Sequence, residues 1–169
     1  MLLEKWATAQ TARRQSEAAA TLQMARTIAG ALAAAHGERM AADTVAQLDR
    51  MAQADPAWPP RLAAGLLAYR QGLELEHAGR FAEALSRFRR ARGGLDAVSS
   101  PFARWATFQI AFCLYQHLNY PEARRELARL LKAPSPERYS ALRGRALTLA
   151  GLIHAIEGHH TEAINAYET

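Results

Sequence analysis

Apolar positions recur at helical spacing along the chain, and the pattern repeats three times. In each copy a short turn is followed by a Glu-Ala pair and, four residues after the alanine, by a large apolar residue. The copies are Glu83-Ala84 with Phe88, Glu122-Ala123 with Leu127, and Glu162-Ala163 with Tyr167. The alanines are about 39–40 residues apart, a period typical of stacked helical repeats. The pattern therefore predicts helical hairpins that stack side by side.

Small residues at fixed places accompany this pattern. Helices pack at about 8–10 Å, and small residues at the crossing allow larger ones to interdigitate. The predicted crossing positions are Gly72, Ala84, Phe88 and Ala91 in the first copy, Ala111, Ala123, Leu127 and Leu130 in the second, and Gly151, Ala163 and Tyr167 in the third.

These positions resemble those of the tetratricopeptide repeat (TPR), over about residues 60–169. The resemblance implies an all-α, right-handed solenoid with TPR 1 at residues 60–98, TPR 2 at 99–134 and a truncated TPR 3 at 135–169. Residues 1–55 would form an N-terminal three-helix cap or a degenerate repeat. The copies are longer than the family's roughly 34 residues, and we place the extra residues at the start of each first helix.

The pattern predicts nine helices and no strands. The N-terminal helices are predicted at 2–13, 17–35 (N-capped by Ser16) and 38–53, before a proline-rich break at 55–60. The first helix of each hairpin begins near Pro60, Pro101 or Pro136, with Ser100 and Ser135 as N-caps of the latter two. These helices end at Gly79, Asn119 and Gly158, each expected in the left-handed conformation. The second helices are predicted at 81–92, 121–132 and 161–169. The last one stops early, so we expect the chain to be part of a longer protein.

In TPR proteins certain positions of the first helices face a concave groove that binds peptides. Carried over to this chain, the resemblance implies the partner-binding residues Tyr69, Leu73, Trp105, Phe108, Phe112 and Tyr115. Leu66, His77, Thr148, Leu152 and Ile156 fall on the same wall. Because this wall is apolar and aromatic, two interpretations remain open. It binds a hydrophobic peptide or helix of a partner protein, or it is core, filled by the chain's own N-terminal helices or by a segment outside this sequence.

Charge and chemistry change this picture little. The net charge is +5, and much of the basic excess lies on two second helices: Arg87, Arg89, Arg90 and Arg92, then Arg124, Arg125, Arg129 and Lys132. A solvated outer face is the simplest interpretation. Nucleic-acid binding is the alternative, which is disfavoured because the one aromatic residue among these arginines, Phe88, is assigned to a helix crossing. Leu152, Ile156, Ile164 and Tyr167 are expected to form an apolar C-terminal edge that supports self-association.

No catalytic motif is present: there is no glycine-rich phosphate loop, no G-x-S-x-G and no H-E-x-x-H. We therefore expect no enzymatic activity and no cofactor in this chain. His154, His159 and His160 cluster near one turn, but no carboxylate or cysteine obviously completes a metal shell, so no metal is expected. The single Cys113 predicts a buried apolar residue and a reducing, cytoplasmic location. No apolar run approaches the roughly 20 residues of a membrane span, so no membrane contact is expected.

A weaker resemblance concerns the N-terminal lead-in and the segments SPFARWATFQIA and ERYSALRGRALTLAGLIH. They look like the TPR region of bacterial CHAT-domain proteins, whose C-terminal domain is a caspase-like peptidase with a Cys–His dyad. That resemblance implies a sensor or scaffold for a downstream peptidase domain. No residue of this chain corresponds to the dyad.

Overall fold

The computed structural model describes residues 2–133 and 136–168. In these residues the fold is all-helical, without strands, which confirms the predicted all-α class. The α-helices are α1 (Leu2–Thr11), α2 (Gln15–His36), α3 (Met40–Ala54), α4 (Trp58–His77), α5 (Phe81–Asp96), α6 (Ala103–Gln116), α7 (Tyr120–Leu131), α8 (Ser140–Ile156) and α9 (His160–Glu168). A 3₁₀-helix, Pro136–Tyr139, precedes α8.

Three hairpins follow the N-terminal helices: α4–α5, α6–α7 and α8–α9. Each helix from α4 to α9 packs against the next one along the chain. The three connecting turns have the same backbone hydrogen bonds. The N–H groups of Arg80, Asn119 and His159 donate to the carbonyls of Leu75 (2.9 Å), Leu114 (2.9 Å) and His154 (2.8 Å). This is the Schellman motif, which ends a helix with one left-handed residue.

The left-handed residue is Gly79 (φ 72°) in the first turn and Gly158 (φ 79°) in the third, as predicted. The prediction for Asn119 is wrong. Its φ is −87°, and the left-handed residue is Leu118 (φ 58°). Asn119 instead caps α7, because its side chain accepts a hydrogen bond from the Glu122 N–H at 3.4 Å. Asparagine suits both roles, and the sequence alone did not separate them.

Several predicted helix starts also need correction. α2 begins at Gln15 with Arg14 at its N-cap, so Ser16 lies inside the helix. Ser100 and Pro101 form a turn before α6, in which the Ser100 hydroxyl accepts a hydrogen bond from the Phe102 N–H at 3.3 Å. Pro136 opens the 3₁₀-helix rather than α8, since a proline fits the first turn of either kind of helix. Ser135, predicted as an N-cap, lies outside the described residues.

The crossing positions lie in the core of the hairpins. Ala84, Phe88, Ala91, Ala111 and Ala123 are fully buried, Leu127, Leu130 and Ala163 are nearly so, and only Tyr167 is largely exposed. Two glycines face aromatic rings across their hairpins. A Cβ added to Gly72 would lie 2.5 Å from Phe88 Cε1, and one added to Gly151 would lie 2.7 Å from Tyr167 Cε1. The absence of a side chain therefore lets α4 approach α5, and α8 approach α9.

The N-terminal helices connect the first hairpin to the third. α1 packs against α2 and α4, and α3 packs against α2 and α4. From α3, Asp43 binds the Arg138 guanidinium (2.8 Å) and accepts a hydrogen bond from the Tyr139 hydroxyl (3.1 Å). Glu38, just before α3, accepts the Ala141 backbone N–H at the start of α8 (3.1 Å). These contacts place α2 and α3 opposite α4 and α6, with a groove between them.

Candidate functional site

An open apolar groove of about 740 Å³ lies between the N-terminal helices and the hairpins. The wall on the hairpin side includes Tyr69 and Leu73 of α4, Trp105 of α6, and Phe102 just before α6. The opposite wall includes Ala25, Ile28, Ala29 and Leu32 of α2 and Met40, Ala41 and Val45 of α3. Leu2 and Leu3 of α1 line it as well. With Ala141 of α8, the groove is formed by six helices from distant parts of the chain.

The apolar face of α2 is wider than the part of it that neighbouring helices cover, and the uncovered part forms a wall of the groove. Ala25 and Ala29 are buried, but Ile28 and Leu32, one helical turn apart, remain 47% and 43% exposed. Met24, one turn before Ile28, is also exposed, at 55%, but it does not line the groove. Large apolar side chains thus face an open space on one side of α2.

The structure divides the six predicted partner-binding residues into two groups. Tyr69, Leu73 and Trp105 line the groove, and Phe108 is buried edge-on against Trp105, with ring centroids 5.9 Å apart. Phe112 and Tyr115 do not line it. Their rings pack against Phe81 (6.3 Å) and Tyr120 (5.9 Å) respectively.

The aromatic stripe of α6 therefore extends beyond the groove, and whether Phe112 and Tyr115 bind a partner stays a prediction. Phe112 is seven residues after Trp105, which places it about 10.5 Å further along α6. At that distance Phe112 lies beside Phe81 at the start of α5, and Tyr115, three residues further on, lies beside Tyr120 at the start of α7. Spacing on one face predicted a shared direction, but it did not show that the groove ends partway along the helix.

Contacts from neighbouring elements hold the groove aromatics in place. The Tyr69 ring lies edge-on to Phe102, with centroids 5.1 Å apart. Burial raises the pKa of the Tyr69 phenol, and a side-chain hydrogen bond with Gln109 partly opposes that shift. The Arg145 guanidinium of α8 lies 5.6 Å from the centre of the Trp105 ring, a cation–π distance. Gln109 and Arg145 could not be predicted from the sequence, because no local pattern links either residue to an aromatic on another helix.

The charged residues that line the groove are mostly acidic. They are Glu4, Glu38 and Glu74 against Arg70, with His77 beside them. The Arg70 Nε–H donates to Glu74 Oε1 at 3.0 Å. Since the whole chain carries a net charge of +5, the groove is locally acidic on a basic protein. A ligand with basic groups beside its apolar part would suit it.

Two glutamates of α7 partly neutralise the basic residues of α5 and α7. Arg89 pairs with Glu122 (2.9 Å), Arg92 with Glu126 (2.8 Å) and Arg129 with Glu126 (3.0 Å). Arg87 and Arg90 instead line a separate polar cleft of about 750 Å³ together with Arg13. No aromatic residue lines this cleft among the described residues, so stacking on nucleic-acid bases finds no support.

Two other candidates, Cys113 and the apolar C-terminal edge, differ in their exposure to solvent. Cys113 is fully buried, and burial raises the pKa of its thiol to about 12, the opposite of an activated nucleophile. At the C-terminal edge, Leu152, Ile156, Ile164 and Tyr167 are 38% to 55% exposed. Self-association through this edge stays a prediction.

Comparisons with protein-family models, curated proteins and solved structures gave no match to this chain. Within residues 2–133 and 136–168, no helix has the length and apolar composition that a membrane crossing requires.

Proposed function

We propose that this chain is a TPR-like helical-repeat module that binds an amphipathic helix of a partner protein in the groove between α2 and α4. The observation that carries the proposal is the exposure of Ile28 and Leu32 opposite Tyr69, Leu73 and Trp105 across an open apolar space. Contiguous exposed apolar surface is typical of interaction sites. The contact would be a helix-in-groove interaction, with aromatic side chains as anchors.

The openness of the groove favours a helix over a small molecule. Pockets for small ligands bury about 70–90% of the ligand surface and place polar groups to fix its orientation. Here two large side chains of one wall stay more than two-fifths exposed. An amphipathic helix needs only one face covered, and its polar face would remain in water.

The acidic residues that line the groove indicate which charges the partner helix should carry. Glu38 and Glu74 favour lysine or arginine beside the apolar face of the bound helix. Such charge pairs at the rim mainly raise the association rate. Added salt should therefore lower the association rate constant of the complex. Most of the affinity would come from apolar contacts with Tyr69, Leu73 and Trp105, where each anchor contributes about 2 kcal/mol.

The test selects helix-forming peptides from a display library on the full chain and measures the Kd of the selected peptides. We expect Ile28→Ser with Leu32→Ser to weaken binding by at least about tenfold, because two apolar contacts are lost. Trp105 gives a direct signal, since it lines the groove while Trp6 and Trp58 are buried. Its fluorescence should change when a peptide binds.

Met24→Ser is the matched control, because Met24 lies on α2, is equally exposed and does not line the groove. Its affinity should stay within about twofold of the unmodified chain. All substituted positions are exposed, so circular dichroism should show unchanged helicity. Equal weakening by Met24→Ser, or full affinity in the double variant, would refute the groove as the site.

Two alternative functions are supported by fewer observations. An array that regulates a downstream CHAT-type peptidase would use the same groove for a segment of its own parent protein. The nucleic-acid alternative depends on the basic helices, which the ion pairs between α5 and α7 make less available. We also propose that the chain itself is not an enzyme and is cytoplasmic; its one cysteine lies in the core.

A further inference from the structure

We propose that the turn between α8 and α9 binds a divalent transition-metal cation of the Zn²⁺ type through His154, Glu157 and His159. One ligand atom from each of these side chains lies within 4.8 Å of the other two. The expectation of no metal overlooked Glu157, which is the carboxylate of this cluster. This site is separate from the groove and goes beyond the proposed function.

The turn geometry itself brings the two histidines together. In a Schellman motif the residue two positions past the cap lies over the third residue from the helix end, and the two side chains usually make an apolar contact. Here those residues are His159 and His154, whose ring centroids are 5.9 Å apart. Gly158, with φ 79°, turns the chain back so that the His159 N–H reaches the His154 carbonyl at 2.8 Å.

The other two turns provide an internal comparison. With the same hydrogen bonds, they carry Leu75, Ala78 and Arg80 in the first hairpin, and Leu114, His117 and Asn119 in the second. The backbone therefore forms without any of the three ligand residues. Two imidazoles and a carboxylate occur together only in the third of these turns, so a role other than folding explains them better.

Buried polar atoms without hydrogen bonds lie at the same place. His154 Nδ1, Glu157 Oε2 and Arg124 Nε are each shielded from solvent and have no hydrogen-bond partner among the described residues. Arg124 Nε and Glu157 Oε2 lie close enough to form an ion pair with each other, so the buried atom that indicates a missing partner is His154 Nδ1, an atom that can ligate a metal. Arg124 Nε is 3.4 Å from Glu157 Oε2, an ion-pair distance. Because a carboxylate has two oxygens, Glu157 can keep this contact, which would orient it, and still bind a cation.

The ligand set defines the class of metal. Two imidazole nitrogens and one carboxylate oxygen, with a fourth position left for water, suit Zn²⁺. Mg²⁺ and Ca²⁺ prefer oxygen ligands alone, so neither is expected to bind. Co²⁺ and Ni²⁺ accept the same ligands and serve as probes. Since the ligands lie at the end of α8 and in the turn that leads to α9, the cation would fix α9 against α8.

The test titrates Zn²⁺ into the full chain without a histidine tag by calorimetry, and follows Co²⁺ binding by its visible absorption. We expect one equivalent to bind. His154→Leu, Glu157→Ala and His159→Asn should each weaken binding by at least about tenfold. Each variant takes the residue that another hairpin carries at that turn position, so the fold should persist, which circular dichroism checks.

His160→Ala is the matched control, because His160 is exposed and adjacent but does not belong to the cluster. It should bind Zn²⁺ like the unmodified chain, and Zn²⁺ should slow hydrogen exchange in α9. No stoichiometric binding would overturn the proposal. Equal losses in His160→Ala and His159→Asn, with none in His154→Leu, would also overturn it and indicate an exposed histidine pair.

Discussion

At the scale of single residues, two glycines set how closely their hairpins can pack. Gly72 is buried and faces Phe88, which is fully buried and also contacts the Tyr69 ring at 5.5 Å. Gly151 faces Tyr167, which is 55% exposed. The same pairing of a glycine with an aromatic ring therefore occurs once with a buried ring and once with a largely exposed ring.

This difference predicts unequal effects of adding one methyl group. Gly72→Ala should destabilise the protein by about 1–2 kcal/mol, because overpacking against a ring that cannot move outweighs the gain in helix propensity. Gly151→Ala should be nearly neutral, since Tyr167 can rotate into solvent. Gly144→Ala on α8, where an added Cβ would meet nothing within 4 Å, should stabilise by up to about 1 kcal/mol. Urea denaturation measures all three, and a Gly72→Ala variant as stable as Gly144→Ala would contradict the prediction.

Glu76 gives a second residue-scale prediction, which depends on pH. Burial raises the pKa of this half-buried carboxyl, and its Oε2 has no hydrogen-bond partner in the described residues. A carboxyl whose pKa is higher in the folded state costs stability once it ionises, so the cost is absent at low pH and develops as pH rises through the folded pKa. Glu76→Gln should therefore stabilise at pH 7, by less than about 1 kcal/mol because the group is half exposed.

The effect of Glu76→Gln should disappear below the ordinary carboxyl pKa of 4.5, where both states bind the proton. Glu74→Gln is the control on the same helix, since Glu74 is exposed and paired with Arg70. Stability curves measured from acid to neutral pH decide the matter. An equal gain at all pH values would show that ionisation of Glu76 is not the cause.

At the scale of elements, the hairpins were more predictable than the N-terminal helices. The crossing positions Ala84 and Ala123, and the turn at Gly79, depend on residues close in sequence, and periodicity and turn chemistry detect these. The apolar stripe of α2 was equally visible. Its partner was not, because contacts such as Glu38 with Ala141 join residues 103 positions apart. Local patterns predict that a face is apolar, not which helix covers it.

The same distinction explains the candidate sites. Tyr69, Leu73 and Trp105 were predicted from their positions on first helices, and the groove includes them. Phe112 and Tyr115 were predicted on the same grounds but pack against Phe81 and Tyr120. The opposite wall, from α2 and α3, depends on how helices distant in sequence pack in three dimensions, whereas the His154 cluster is local and only its carboxylate, Glu157, was missed. Sequence spacing alone therefore identified one wall of a two-walled groove.

At the scale of the whole molecule, a small polar cluster connects the N-terminal helices to the third hairpin. Asp43 of α3 accepts hydrogen bonds from the Arg138 guanidinium and from the Tyr139 hydroxyl, 95 and 96 residues away in sequence. The Arg39 N–H also donates to the Arg138 carbonyl at 3.1 Å. Since α2 and α3 form one wall of the groove, this cluster fixes that wall to the third hairpin.

Asp43→Ala should therefore loosen one wall of the groove. We expect a loss of about 1–2 kcal/mol in the free energy of unfolding, because Asp43 is mostly shielded from solvent and its partners are charged or hydrogen-bonded. Hydrogen exchange should accelerate in α2, α3 and at the start of α8, while α4–α7 stay protected. Asp49→Ala is the matched control, since Asp49 pairs with Arg26 of α2 and that exposed pair lies within the N-terminal helices. It should cost less than about 1 kcal/mol and leave α8 unchanged. If both variants accelerate exchange only in α2 and α3, the Asp43 cluster does not fix that wall to the third hairpin.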